Sequence, residues 1–321
     1  MKDPMPLVKR IEQLLPKKPV EALDYCSELR GIALEKKKYD LLAREEGYRG
    51  RSYIAISKVS EGKQTLAHAL GWYRRWQQYD SYAGLINSVG ADYYQLKEYQ
   101  NARQWLAAAV QTATRTHAPQ VLYKSLYNLG KIEELTGNFL SARRYMEKSL
   151  DIASSSRMPL DLSPMLLSLG KLHKNQGHFS QAEQVLVRGR KYAQDKQEWP
   201  QALRMGLEIA SLFMDQKNYP ESRIMYHEVL RTAQERNLLY YELLARIGLV
   251  KVLLLIQDSQ EIVRVIEEAV HILKNRPNLQ NPETIEVFKL AALVSQKVLS
   301  DKTRAYVYYV HYRKAIDQYH R

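Results

Sequence analysis

A single cysteine, Cys26, stands in 321 residues, which excludes an internal disulfide and a cysteine metal cluster. Its expected place is the interior face of an early helix, packed as a small hydrophobe. Long apolar runs are missing too. The best candidate, Ile247 to Ile256, contains Lys251 and falls short of the ~18 residues of a membrane span. The N-terminal Met1-Lys2-Asp3-Pro4-Met5-Pro6 lacks the apolar core of a secretion signal. Together these absences favour a reducing, cytoplasmic setting. Glycine and proline are scarce, at 14 and 11, and no low-complexity linker separates two halves.

Enzyme signatures are absent as well. The chain has no Gly-rich phosphate loop, no HExxH and no Gly-x-Ser-x-Gly, so no catalytic residue, metal ligand or cofactor is assigned. His173 and His178 flank a turn, but a zinc site needs further ligands, and His173 falls at an aromatic packing position. Glu133 and Glu134 are adjacent on a helix and so point in different directions, which rules out an acid/base dyad.

What the chain does have is a period. Gly50, Gly90, Gly130 and Gly170 are spaced by 40 residues, Ala210 continues the series, and Gly248 closes it at 38. Twelve residues after each comes a small residue (Ala102, Ala142, Ala182, Ser222), and three before that an aromatic (Tyr99, Phe139, Phe179, Tyr219). Polar turns such as Leu135-Thr136-Gly137-Asn138 lie between the two small positions. This is the grammar of a helical hairpin, with small residues where two helices touch and glycine supplying the positive φ that ends the first helix. Pro164, Pro200 and Pro220 fall near expected helix starts.

At Tyr127-Asn128-Leu129-Gly130 through Gly137-Asn138-Phe139 to Ala142 and Tyr145, the chain resembles the tetratricopeptide-repeat (TPR) family. The usual repeat is about 34 residues. This chain resembles the longer variety, of about 40, found in cell-polarity adapters and bacterial signalling proteins. The resemblance implies an all-α, right-handed superhelical solenoid of antiparallel helix hairpins. Repeats are expected at about 3–37, 43–77, 83–116, 123–156, 163–196, 203–236 and 241–275, with a degenerate helix pair at 282–320. One continuous array, 1–321, is the expected domain organisation.

Charge is the informative bias. There are 48 Lys and Arg against 35 acidic residues, a formal net charge of +13. Such a balance points to acidic peptides, nucleic acid or an anionic membrane surface. In TPR proteins the first helix of each hairpin lines a concave face. That placement, carried onto this chain, assigns partner binding to Arg44, Tyr48, Arg51, Asn87, Tyr94, Lys124, Tyr127, Asn128, Lys131, Lys171, Lys174, Asn175, Arg204 and Arg246. The set resembles the Lys/Asn/Arg carboxylate grip of several peptide-binding TPR proteins, in which Asn bonds a peptide backbone and cations meet carboxylates. Glu134, Glu208 and Asp215 are acidic exceptions, and Arg143, Arg144, Lys148, Arg188, Arg190 and Lys191 form a second basic stripe on the outer helices.

The last helix is aromatic. Tyr308, Tyr309, Tyr312 and Tyr319 are expected to form a terminal docking face, for another chain or for self-association. The favoured function is a non-catalytic adapter that binds an acidic or amphipathic linear segment of a partner protein in a basic groove. The alternatives are the sensor region of a larger signalling protein, or a nucleic-acid-binding repeat, which lacks a base-reading module.

Overall fold

The structure, a computed structural model, describes residues 3–155 and 162–319, the side chain of Tyr319 excepted. It is all-α, with no strand among the described residues. The chain divides into two compact units, 1–160 and 161–321. The first holds α1 (Met5–Leu14), α2 (Pro19–Glu35), α3 (Tyr39–Ala55), α4 (Val59–Arg75), α5 (Tyr79–Gln95), α6 (Tyr99–Arg115), α7 (Pro119–Leu135) and α8 (Phe139–Ser155). The second holds α9 (Ser163–Asn175), α10 (Phe179–Asp195), α11 (Trp199–Asp215), α12 (Tyr219–Glu235), α13 (Leu239–Ile256), α14 (Ser259–Asn275), a 3₁₀ turn (Pro277–Leu279), α15 (Glu286–Lys297) and α16 (Lys302–Tyr319). Odd-numbered helices open the hairpins and are called A helices; even-numbered helices are B helices. Four A helices, α3, α5, α7 and α11, start four residues before the expected repeat boundaries, whereas α9 starts at its own.

The turns recur at half the 40-residue repeat marked by the glycines. Positive φ recurs every 20 residues, at Lys37, Ser57, Gln77, Lys97, His117 and Gly137, and again at Gly177, Gln197, Lys217, Asn237 and Gln257. At each, the residue that follows sends its N–H five residues back, as in Lys38 to Ala33 (2.9 Å), Glu98 to Tyr93 (3.0 Å) and Asn138 to Glu133 (2.8 Å). This is the Schellman closure, which satisfies the last carbonyls of a helix. The same turn therefore serves both junctions, within a hairpin and between hairpins. Glycine fills it only at Gly137 and Gly177 (φ 81° and 76°) among the described residues; elsewhere Lys, Gln, Ser, Asn or His adopts it.

Close approach explains the glycine column. A Cβ on Gly130 would lie 2.7 Å from Met146 Cγ and 3.2 Å from the Ala142 carbonyl. The B helix thus inserts a large side chain against the bare A-helix backbone, as well as the expected alanine. Leu66, Leu106 and Leu186 do the same and are fully buried, each stabilising the fold by about 1.5–3 kcal/mol. Gly248 does not belong to this column. The 20-residue register puts buried Val250 there, and Gly248 instead makes room for the Tyr226 ring of the preceding hairpin. Cys26 is fully buried on α2, as expected. Past α14 the period breaks: Thr284, held by Asn281 and the Leu279 carbonyl, rebuilds the entry to α15.

Candidate functional site

In the first unit α3, α5 and α7 lie side by side and make one wall. Residues 40 apart stack on it in columns. One column reads Arg44, Gly84, Lys124; beside it runs Gly47, Asn87, Tyr127. Gly84 has no side chain and Ser81 and Ser88 are small, so the face of α5 sinks between its neighbours. The result is a cavity of about 330 Å³ lined by Arg44, Tyr48, Arg51, Asn87 and Lys124, five of the residues assigned from sequence.

These five are not equivalent. Arg44 and Lys124 are exposed and have no ion-pair partner among the described residues. Arg51 is committed: it grips both Asp92 oxygens, at 2.6 and 3.0 Å. Tyr48 is buried and donates to Glu12 at 2.5 Å, and burial followed by that bond pushes its phenol pKa up. Asn87 accepts from Ser125 (2.9 Å). Lower on α7, Lys131 is tied to Glu134 (2.9 Å); burial opposes its charge and Glu134 raises its pKa. Half-buried Tyr94 packs at 6.1 Å from Tyr99, with its pKa raised by burial while Lys131 lowers it. Tyr127 and Asn128 are half-buried on the same helix. The open cations of this lining are therefore Arg44 on α3 and Lys124 on α7, either side of α5.

The wall of the second unit is of another kind. α11 and α13 bound a cavity of about 420 Å³ lined by Lys171, Arg204 and Lys251, but also by Glu208, Asp215, Glu283 and Glu286. Lys171 (3.4 Å) and Lys174 (2.8 Å) both bind Glu208, and Lys251 binds Glu286 (2.9 Å). Burial opposes the Glu208 charge, yet the two lysines hold its carboxyl below the usual range. Leu207, Met214, Leu244 and Ile247 add an apolar lining. The expected basic groove is here charge-balanced and partly apolar. Asn175 is exposed at the end of α9, and Arg204 is exposed near Tyr240 and Tyr241. The columns 167, 207, 247 and 204, 244 turn apolar in sequence, a signal that a count of cations passes over.

Arg246 is a correction. It is 3% exposed, donates to Glu242 at 2.5 Å and binds Glu268 at 2.9 Å. Counting from Gly248 shifts the register by two, so Arg246 falls in the inward column of Ile86, Leu126 and Leu166, where it bridges α13 to α14. The terminal aromatic face needs correction too. Tyr308 and Tyr312 turn inward onto the core of the second unit, and Tyr308 carries Lys274 and Arg304 over its ring at 5.5 and 5.6 Å. Tyr309 and Tyr306 remain exposed. The side chain of Tyr319 lies outside the described residues. His173 is buried at a packing position, 6.0 Å from the His178 ring. No cluster of metal-binding side chains occurs, and no helix is long and apolar enough to cross a membrane, among the described residues.

Paired helices with a repeated closure and a small-residue contact column define a TPR-type repeat protein. The chain belongs to the MalT-like TPR region family, which matches residues 48–303. Three solved structures share the fold. The signal-transduction ATPase with a tetratricopeptide repeat sensor from Pyrococcus horikoshii is 13% identical (TM-score 0.68), over 99% of this chain and 52% of that one. The apo quorum sensor NprR from B. thuringiensis is 16% identical (TM-score 0.59), over 97% and 86%. BtubC from P. vanneervenii is 16% identical (TM-score 0.57), over 68% and 91%. Among curated proteins no sequence matches the chain.

Proposed function

We propose that this chain is a non-catalytic, cytoplasmic interaction module of bacterial signalling, whose first unit holds an acidic linear segment of a partner protein against α3, α5 and α7. One observation carries the reading: Arg44 and Lys124, without carboxylate partners, flank the bare backbone of Gly84 in one cavity. An extended segment can approach α5 closely there, and each cation offers charge-assisted hydrogen bonds to a carboxylate. Asn87, whose carbonyl oxygen is engaged by Ser125, keeps an amide donor for the segment's backbone. Self-association through α16 would use Tyr306 and Tyr309, the rings it leaves exposed.

A second reading, the sensor region of a larger signalling protein, is favoured by the match of this whole chain to about half of the P. horikoshii ATPase. Both readings share the wall. Affinity capture from native lysate, read by mass spectrometry, tests it with Arg44→Glu combined with Lys124→Glu. An acidic polypeptide retained by the unaltered chain and lost by the double variant supports the proposal; equal retention contradicts it.

A further inference from the structure

The first residues of five A helices fall in one column: Tyr39, Tyr79, Pro119, Trp199 and Leu239. In the second unit this position is closed: the Arg236 guanidinium lies 4.0 Å from the centroid of the Trp199 ring. Arg236 comes 37 residues after Trp199, and the same offset from Tyr79 reaches Thr116, which is too short to cover a ring. Tyr79 is left 44% exposed. Beside it a cavity of about 720 Å³ opens where the ends of α4 and α6 meet the first turn of α5. Arg74 and Arg115 line it, and neither pairs with a carboxylate among the described residues. Arg74 is held in place by Tyr82, 5.8 Å from its ring centroid and 3.4 Å from its hydroxyl.

We infer that this cleft is a binding site for a nucleoside phosphate unit, free or within a single strand, distinct from the A-helix wall. Two guanidinium forks match a phosphate. The uncovered Tyr79 ring offers a stacking face for a base. Asp80, in the same lining, accepts from ribose hydroxyls or an exocyclic amine, and Gln77 and Gln78 both donate and accept at a base edge. A plain acidic peptide would leave the Tyr79 ring unused. The volume lies within the range of about 300–1,000 Å³ of small-molecule sites.

Calorimetry and saturation-transfer NMR on the full chain at low salt test the site with AMP, adenosine, inorganic phosphate and a 5′-phosphorylated oligouridylate. AMP should bind about tenfold or more tightly than adenosine or phosphate alone, because each holds half of the recognised chemistry. Arg74→Ser with Arg115→Ser should weaken AMP by about tenfold or more, and Tyr79→Ala should weaken AMP while sparing phosphate. All three residues are exposed, so the helical circular dichroism should be unchanged. Lys124→Glu should leave nucleotide binding intact, which separates this site from the wall. Binding of the oligonucleotide without AMP would assign the unit to a strand; binding of AMP would assign it to a free nucleotide. Failure of both to bind, or binding unchanged in the variants, would overturn the inference.

Discussion

Arg51 and Asp92 form a two-pronged ion pair, 2.6 and 3.0 Å, that ties α3 to α5 along the wall of the first unit. Both are largely shielded from water, with side-chain exposures of 18% and 13%. Removing one partner strands a poorly solvated charge, whereas removing both does not. Arg51→Leu should therefore destabilise the protein by about 2 kcal/mol or more in chemical denaturation, and adding Asp92→Leu should restore much of the loss.

The helix contacts divide the glycines into two kinds. Gly130→Ala forces Met146 or the Ala142 backbone aside and should lower the melting temperature. A Cβ on Gly31 or Gly71 finds open space within α2 and α4. Alanine there should raise stability by about 0.5–1 kcal/mol, since glycine in a helix interior has excess freedom to lose. Thermal melts of the three variants check both signs.

The turns allow a converse test. Lys97 holds φ 61° between α5 and α6, a conformation that side chains disfavour by roughly 1–2 kcal/mol. Lys97→Gly should be neutral or stabilising, although glycine is ordinarily a destabilising choice. A clear loss of stability on urea titration would mean that the turn is not closed as described.

Protonation enters through Glu45, which is fully buried on α3. Its carboxylate meets Arg49 at 3.4 Å and Arg30 at 3.9 Å, and neither oxygen makes a hydrogen bond. Burial raises its pKa from 4.5 to about 7, with Arg49 and Arg30 pulling against burial. A raised carboxyl pKa means that the folded state holds the proton more tightly than the unfolded chain does. The resulting stability is present at pH below 4.5 and is lost as pH rises through about 7. Glu45→Gln should flatten this decline, by roughly 2 kcal/mol at alkaline pH. Denaturation measured on both sides of neutrality checks it. In the same region Cys26 is pushed up to about 12, by burial first and Glu45 second, so its thiol should react with a disulfide reagent only after unfolding.

Much of this architecture is legible in the sequence, because close helix contact restricts a position to glycine or alanine and so leaves a column. The 20-residue turn is not, because a Schellman closure accepts Lys, Gln or Ser at modest cost and leaves no compositional mark at Lys37 or Gln77. Gly248 stands two residues before the contact column, so a register counted from it puts Arg246 on the wall, although that side chain is buried. The charge excess proved real but unevenly usable. Lys131, Lys171 and Lys174 are neutralised by Glu134 and Glu208, carboxylates that periodicity places nearby but does not pair. The aromatic face of α16 was rotated for a similar reason: Tyr308 and Tyr312 are one helical turn apart and pack inward, and Tyr309 is left outside.

The proposed role of the wall rests on Arg44 and Lys124 acting together across Gly84. Fluorescence anisotropy of a labelled acidic peptide, titrated with the intact chain and with Arg44→Glu/Lys124→Glu, measures that directly. Binding that weakens by about tenfold or more in the double variant, and also weakens with added salt, is the predicted result. Equal affinity for both proteins, or no peptide binding by the intact chain at low salt, would contradict the account.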